Sequence, residues 1–507
     1  MVKSIYNFIS NGLPPYLRPT IIIRSLITFY TLVQARIFGS PLTLLAHSQT
    51  VLLPRKKKED GQEQSPVHLY DLLHLHCPHL TGKEAYYTPP LLLANGHLST
   101  IACALNNSSR ANQVHYERKV IRVPDGGQIE IDFTPPGTFD DPKDSTPTLV
   151  VLHGLTGGSH EQYVREMVSS VIHQLGWRVM VTNFRGCAGS KLTSPRLYHA
   201  GATDDLRCAL LFLSHLVSPD TPLHGLGFSL GANILAKYLG EEGEQSMLRT
   251  GTVLANPWDL YKGHLFMESS FVQRIYSRVL AFSLRSMVKR HLNWISSSSV
   301  DIDLLYSDPY QTLYDFDTIL TRHLGGFAST ENYYKSQSSA RLIRDVRVPL
   351  LGMNAEDDVI SCIDAVPLGA AQDNPFVILG VTGKGGHLGW FEGGILPSSR
   401  FVTKPVIEWL NTLNHHLDCS APPHPSRPTR VDIVTVGGPM VRNSERPDEI
   451  GFQLVSQRSV EEMAGVGEQV AKETLKDVQS WEFLKLLVYD GGRAAQARQR
   501  LKEQKAE

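Results

Sequence analysis

Cysteine is scarce in this sequence. Six occur in 507 residues (Cys77, Cys103, Cys187, Cys208, Cys362 and Cys419), and no two form a Cys-x-x-Cys pair. That argues against a disulfide framework and a zinc site, and for buried or free thiols in a reducing compartment. An excess of one charge is also missing. Lys and Arg number 49 against 50 Asp and Glu, a formal net charge of −1, which argues against bulk electrostatic capture of nucleic acid. No long apolar run is present either. In "IIIRSLITFYTLVQARIF" only eleven residues separate Arg24 from Arg36, short of the roughly 20 that a spanning helix needs. Ile23, Leu26, Ile27, Tyr30, Val33 and Ile37 instead share one face at helical spacing. That predicts an amphipathic helix, packed on the protein's own body or laid on a membrane surface. "NFISNGLPPYLRP" breaks any apolar leader, so no secretory signal is expected. The expected setting is intracellular, cytoplasmic or peripheral to a membrane such as the endoplasmic reticulum or a lipid droplet.

Apolar content of 42% and charged content of 20% fit a globular protein with a large core. Residues 1–84 read as an extension carrying the amphipathic helix. "HLYDLLHLHCPHL" brings His68, His74, His76 and His79 close in sequence, but their spacing fits no ligand template, and no metal is expected. "ERKVIRVPDGGQIEIDF" reads as a hairpin around Pro-Asp-Gly-Gly, with Ile129, Ile131 and Phe133 alternating. Short β-rich runs then alternate with helical patterns. "TLVVLH", "RVMVTN", "TGTVLAN", "VPLLGMN" and "FVILGV" are the clearest. The pattern predicts an α/β fold whose mostly parallel central sheet has helices on both faces. Residues 257–345 carry no strand pattern and many aromatics, and read as a helical cap inserted into the domain at 85–415. "DCSAPPHPSRPTR" opens a linker, and 416–507 read as linker and tail, partly disordered.

The chemistry centres on "LHGLGFSLGANILAKYLG", residues 223–240. Ser229 sits between Gly227 and Gly231, after a β-like run and before a helix-like one. Strand, sharp turn and helix form the context of a nucleophile elbow. The glycines are needed because side chains two residues before and after the serine would collide with the turn. The helix start adds N–H groups and a positive dipole end. A serine nucleophile needs a base, and the base needs an orienting acid. "LLGMNAEDDVIS" places Asp357 and Asp358 just after one strand-like run, and "FVILGVTGKGGHLGWFEGG" places His387 in a glycine-rich loop after the next. Negative charge on a reacting carbonyl oxygen needs preorganised N–H groups. Leu230, after the serine, is one candidate donor. Leu155, in "LHGLTGGSHE", is the other, while His153 in that loop reads as structural. His199 and Asp204 make a His-x4-Asp pattern of the kind cited for acyltransferases, but Thr203 or Asp204 reads better as a helix cap.

Several long stretches appear in order: "HGLTGGSHE", "NFRGCAGSKLTSPRLYHAGATDDLR", "GFSLGANILAKYLGEEGE", "NPWDL" and "GGHLGWFEGG". With these the chain, over about residues 85–415, resembles the α/β-hydrolases that include the yeast medium-chain fatty acid ethyl ester synthase/esterases and related hydrolase-domain lipases. The resemblance implies the α/β-hydrolase fold and esterase or lipase activity. It also implies, as in the yeast members, transfer of acyl groups from acyl-CoA to ethanol. By motif the nucleophile is Ser229, the base His387 and the acid one of the Asp-Asp pair, Asp358 by alignment, with Asp357 open. Where the family commonly reads Asp-Asp-Pro this chain reads Asp-Asp-Val.

The reading is therefore a serine hydrolase of small-molecule carboxylic esters, short- to medium-chain acyl esters or acylglycerols, with Leu155 and Leu230 as the oxyanion hole. It needs no cofactor, no metal and no nucleic acid. An alcohol O-acyltransferase using acyl-CoA shares the same acyl-enzyme and stays open, as does a hydrolase-fold binding protein without turnover.

Overall fold

The computed structural model describes residues 34–56, 62–106, 112–295, 300–394, 397–417 and 434–478. Most of the amphipathic helix expected over Ile23–Ile37 lies outside them; residues 34–38 are helical, and Gln34 is buried.

Twelve strands join one sheet. In chain order they are β1 (Ser40–Ala46), β2 (Tyr86–Tyr87), β3 (Glu117–Arg122), β4 (Gln128–Thr134), β5 (Thr148–Leu152) and β6 (Arg178–Asn183), then β7 (Leu223–Phe228), β8 (Thr250–Leu254), β9 (Leu350–Ala355), β10 (Val377–Thr382), β11 (Val441–Arg442) and β12 (Gly451–Arg458). Across the sheet the order is β11-β12-β3-β4-β6-β5-β7-β8-β9-β10-β1-β2. The six strands from β6 to β10 are mutually parallel, and the flanking pairs are antiparallel. The central strands are buried along their whole length, which is why they read as continuous apolar runs rather than alternating ones.

Side-chain alternation feeds two cores. Val150 and Leu152 of β5 point into one, Leu149 and Val151 into the other. The longer helices up to residue 416 are α1 (Leu69–His76), α2 (Gly96–Leu105), α3 (Gln162–Leu175), α4 (Thr203–Leu216), α5 (Leu230–Glu242), α6 (Leu260–Glu268), α7 (Phe271–Lys289), α8 (Thr330–Gln337) and α9 (Thr403–His416). Leu210 and Phe212 of α4 and Leu235 of α5 close the first core. Val168 of α3 and Trp409 and Leu413 of α9 close the second. Between β8 and β9 the chain is helical, as expected, and α6, α7 and α8 lie in this insertion.

Three strands, β1, β11 and β12, come from outside residues 85–415. β1 runs antiparallel to β10, with Leu42 opposite Thr382. β12 runs antiparallel to β3, with Gln453 opposite Arg122. In the middle, Leu152 stands beside Gly227, and Phe228 beside Leu254. The carboxyl ends of β5, β7 and β8 therefore finish side by side, where an open parallel sheet presents its crevice.

Candidate active site

Ser229 occupies the turn between β7 and α5 with φ +51° and ψ −118°. A non-glycine residue at positive φ is strained, typically by about 1–3 kcal/mol. Its neighbours hold it there: Ser229 N–H donates to Leu254 O at 2.9 Å, and Ala232 N–H donates to Ser229 O at 2.9 Å. The flanking glycines are steric necessities. A Cβ on Gly227 would fall 2.5 Å from Gly231 O, and one on Gly231 2.4 Å from Leu152 O.

His387 Nε2 stands 2.7 Å from Ser229 Oγ. Its Nδ1 stands 2.9 Å from Asp358 Oδ2 and 3.1 Å from Oδ1. Asp358 is itself fixed, because Oδ1 accepts from the N–H groups of Ile360 and Ser361, both at 2.8 Å. All three side chains are buried. Asp357 faces elsewhere: its Oδ1 accepts from Gly386 N–H at 2.9 Å, and burial raises its carboxyl above the usual range. The contact to His387 belongs to the second aspartate of the pair.

The loop carrying His387 is backed by α2, which the sequence reading did not single out. His387 N–H donates to Thr100 Oγ1 at 2.8 Å, and Ser99 Oγ donates to Gly385 O at 2.9 Å. A Cβ on Gly389 would fall 2.0 Å from Ser99 Oγ, so the helix packs directly on the loop. The only signal for this is the run of small residues in "GHLSTIACAL".

A cavity of about 290 Å³ opens over Ser229 and His387. Leu155 and Leu230 line it, and no hydrogen bond within the described residues occupies the N–H of either. The insertion supplies an apolar wall that includes Met267, Leu280, Leu284 and Phe316. One carboxylate interrupts that wall. Asp317 begins a π-helical turn, Asp317–Thr321. Its oxygens accept from Thr321 Oγ1 at 2.6 Å and Tyr334 OH at 2.7 Å. Burial pushes its carboxyl up to about 6.

The remaining sequence candidates have other surroundings. His153 Nδ1 donates to Gly154 O at 2.7 Å, and Nε2 accepts from Phe184 N–H at 3.1 Å. Burial lowers its pKa to about 4, which leaves a neutral ring tied at both nitrogens. His199 lies against the rings of Phe327 and Tyr333, and burial lowers it to about 3. Asp204 faces Arg207 and Arg446. The capping expected of Thr203 or Asp204 does not occur. The helix starts at Thr203 without a side-chain cap, and Thr203 Oγ1 donates to Glu241 instead. His68, His76 and His79 diverge to Thr50 O, the His416 ring and Glu408.

Strand order, elbow and helical layers together define an α/β-hydrolase. The model of the alpha/beta hydrolase fold family matches residues 147–393. A monoacylglycerol lipase of Saccharomyces cerevisiae is 32% identical over 364 residues, 64% of this chain and 80% of that one. Phospholipase ABHD3 of Mus musculus is 32% identical over 325 residues, 63% of this chain and 75% of that one. The medium-chain fatty acid ethyl ester synthase/esterase 2 of Saccharomyces cerevisiae is 31% identical over 282 residues, 52% of this chain and 61% of that one. The chain belongs to the α/β-hydrolase family and is a hydrolase of the lipase and esterase type. Among the described residues, no helix is long and apolar enough to cross a membrane.

Proposed function

We propose that this protein hydrolyses carboxylic esters with apolar short- to medium-chain acyl groups, acylglycerols among them, through an acyl-enzyme on Ser229. One observation carries the reading: the line from Asp358 to His387 to Ser229, with contacts of 2.9 and 2.7 Å, at the base of a largely apolar cavity. His387 Nε2 takes the proton from Ser229 Oγ as the oxygen attacks the ester carbonyl. Asp358 holds the imidazole in register and stabilises its charged form. The N–H groups of Leu155 and Leu230 hold the oxyanion, each typically contributing a few kcal/mol. The alcohol leaves with the proton from His387, and water completes the cycle. Residues 85–415 form the catalytic unit in this reading, and the insertion at 257–345 binds the acyl chain.

The likeness to an ethyl ester synthase/esterase favours a second reading, in which an alcohol replaces water and acyl-CoA serves as donor. Free thiols at Cys77, Cys103, Cys187, Cys208 and Cys362 support a reducing, intracellular setting. The decisive test is turnover of p-nitrophenyl esters from two to sixteen carbons by wild type and Ser229→Ala, with and without ethanol. Expected is a maximum at one chain length that Ser229→Ala lacks. Ethyl ester rising with ethanol would add the transferase. Equal activity in both proteins would remove Ser229 from the mechanism.

A further inference from the structure

Residues 154–157 offer four backbone N–H groups beside the elbow. Gly154 N–H donates to the hydroxyl of Tyr163 at 3.0 Å, and Thr156 N–H donates to the hydroxyl of Tyr198 at 3.0 Å. Gly157 N–H donates to Gly154 O at 3.2 Å. Leu155 N–H is the one of the four without a partner among the described residues, and Leu155 lies at the cavity wall. Leu155 is half-buried, and a free N–H at the wall of a reaction centre marks a place where a ligand supplies the acceptor.

Both tyrosines are built in. The Tyr163 ring packs against Phe228, the residue before Ser229, with centroids 4.9 Å apart. The Tyr198 ring stacks on Phe184 at 5.1 Å. Two glycines make room for the first hydroxyl, since a Cβ on Gly154 or Gly157 would come within 3.0 or 3.1 Å of Tyr163 OH. The second hydroxyl holds Thr156 at φ +55°, a conformation that costs energy without support.

We propose that Tyr163 and Tyr198 are positioning residues of the oxyanion site. By taking the N–H on either side of Leu155, they fix the two peptide planes between which its own N–H is presented to the reacting carbonyl. This rests on the acyl-enzyme reading above. The two hydroxyls act only through the loop.

The test uses Tyr163→Phe and Tyr198→Phe, which keep the rings and remove the hydroxyls. Each variant is assayed for kcat and KM on the best p-nitrophenyl ester. Each is also assayed for affinity toward a trifluoromethyl ketone and toward the matching unreactive alcohol. Ser229 Oγ adds to the ketone carbon, its proton passes to His387, and the ketone oxygen becomes the oxyanion. Expected is a fall in kcat of about tenfold or more, with KM and alcohol affinity near wild type. Ketone affinity should fall by the same factor as kcat. Wild-type kcat in both variants overturns the proposal, and so does a loss of kcat with ketone affinity intact. Should one variant fail to fold by thermal melt, the other decides, because the two tyrosines hold different N–H groups. Ser229→Ala run alongside separates the failures. If it stays active, the acyl-enzyme reading falls and this proposal with it. If it is inert while both Phe variants match wild type, only the tyrosine assignment falls.

Discussion

Asp132, beside the loop that carries Leu155, and Asp317, in the helical wall of the cavity, are both buried carboxylates with different company. Asp132 meets the Arg118 guanidinium at 2.5 and 2.7 Å, and also accepts from Ser159 Oγ and Asn183 Nδ2. Burial works to raise its pKa, but Arg118 and these donors hold it below the usual range. Asp317 has two hydroxyl partners, and burial prevails, pushing it up to about 6. On the sheet side, the frame of the site, Arg118 and the other donors thus hold Asp132 in its charged form across ordinary pH. The wall keeps a carboxylate that titrates near it. Geometry is fixed on one side, and response to solution conditions is left to the other.

The sharpest contrast lies within the frame itself. Asp358→Asn should lower kcat by about 10⁴-fold, because the amide cannot favour the imidazolium or hold the right tautomer. Asp357→Asn should cost less than about tenfold, since its oxygen only accepts from Gly386 N–H. Steady-state kinetics of the two variants checks this. Equal losses would erase the distinction between the neighbours.

Removing the charge on Asp132 should act on folding. Asp132→Asn leaves Arg118 paired with Glu130 but removes two charge-assisted hydrogen bonds, each typically worth about 1.5–3 kcal/mol. The depressed pKa sets the sign. The stabilisation is present above the unfolded value of about 3.9 and is lost as pH falls through the folded one. Denaturant unfolding should show the deficit in full at pH 7 and a smaller one in acid.

Asp317→Asn should show the opposite slope. Between about pH 4 and the folded value of about 6, the native state binds more protons than the unfolded one, so wild type loses stability as pH rises. The penalty is at most about 3 kcal/mol and is complete above pH 6. The stability of Asp317→Asn relative to wild type should therefore rise across that window and then stay level. Two variants with parallel pH profiles would break the comparison between frame and wall. The smallest effect should come from Leu280→Ala on the wall. Enlarging the apolar cavity should move the preferred acyl chain up by about one or two carbons, read from the p-nitrophenyl series.

Much of this was legible in the sequence, for physical reasons. Ser229 and His387 announce themselves because their turns require glycines at fixed offsets. The alternation of β-rich and helical runs is the direct trace of a sheet buried on both faces. The choice between Asp357 and Asp358 was left open by the residues because the turn after β9 decides which carboxylate faces His387. In the hairpin only Ile129, Ile131 and Phe133 mark a buried face by alternation, and nothing in the sequence marks Arg118, Glu130 and Asp132 as buried. The loops bearing Ser159, Ala188 and Lys191 cover the other face, and the charges are buried as partners. Tyr163 and Tyr198 carry no local signal, because the N–H groups their hydroxyls accept from lie 9 and 42 residues away. The strand at Ser40–Ala46 starts Ser-Pro, and only the open edge of β10 turns it into a strand.

The pairing of β12 with β3 has a consequence for how the protein is made. The two strands are far apart in the chain, and at the usual synthesis rate of about 5–20 residues per second β3 leaves the ribosome tens of seconds before its neighbour exists. During that interval the hydrogen-bonding edge of β3 faces solvent unpaired, a template for any passing extended segment. A nascent chain interrupted before Gly451 would keep that edge bare for good, so a strand translated late also seals the sheet against self-association.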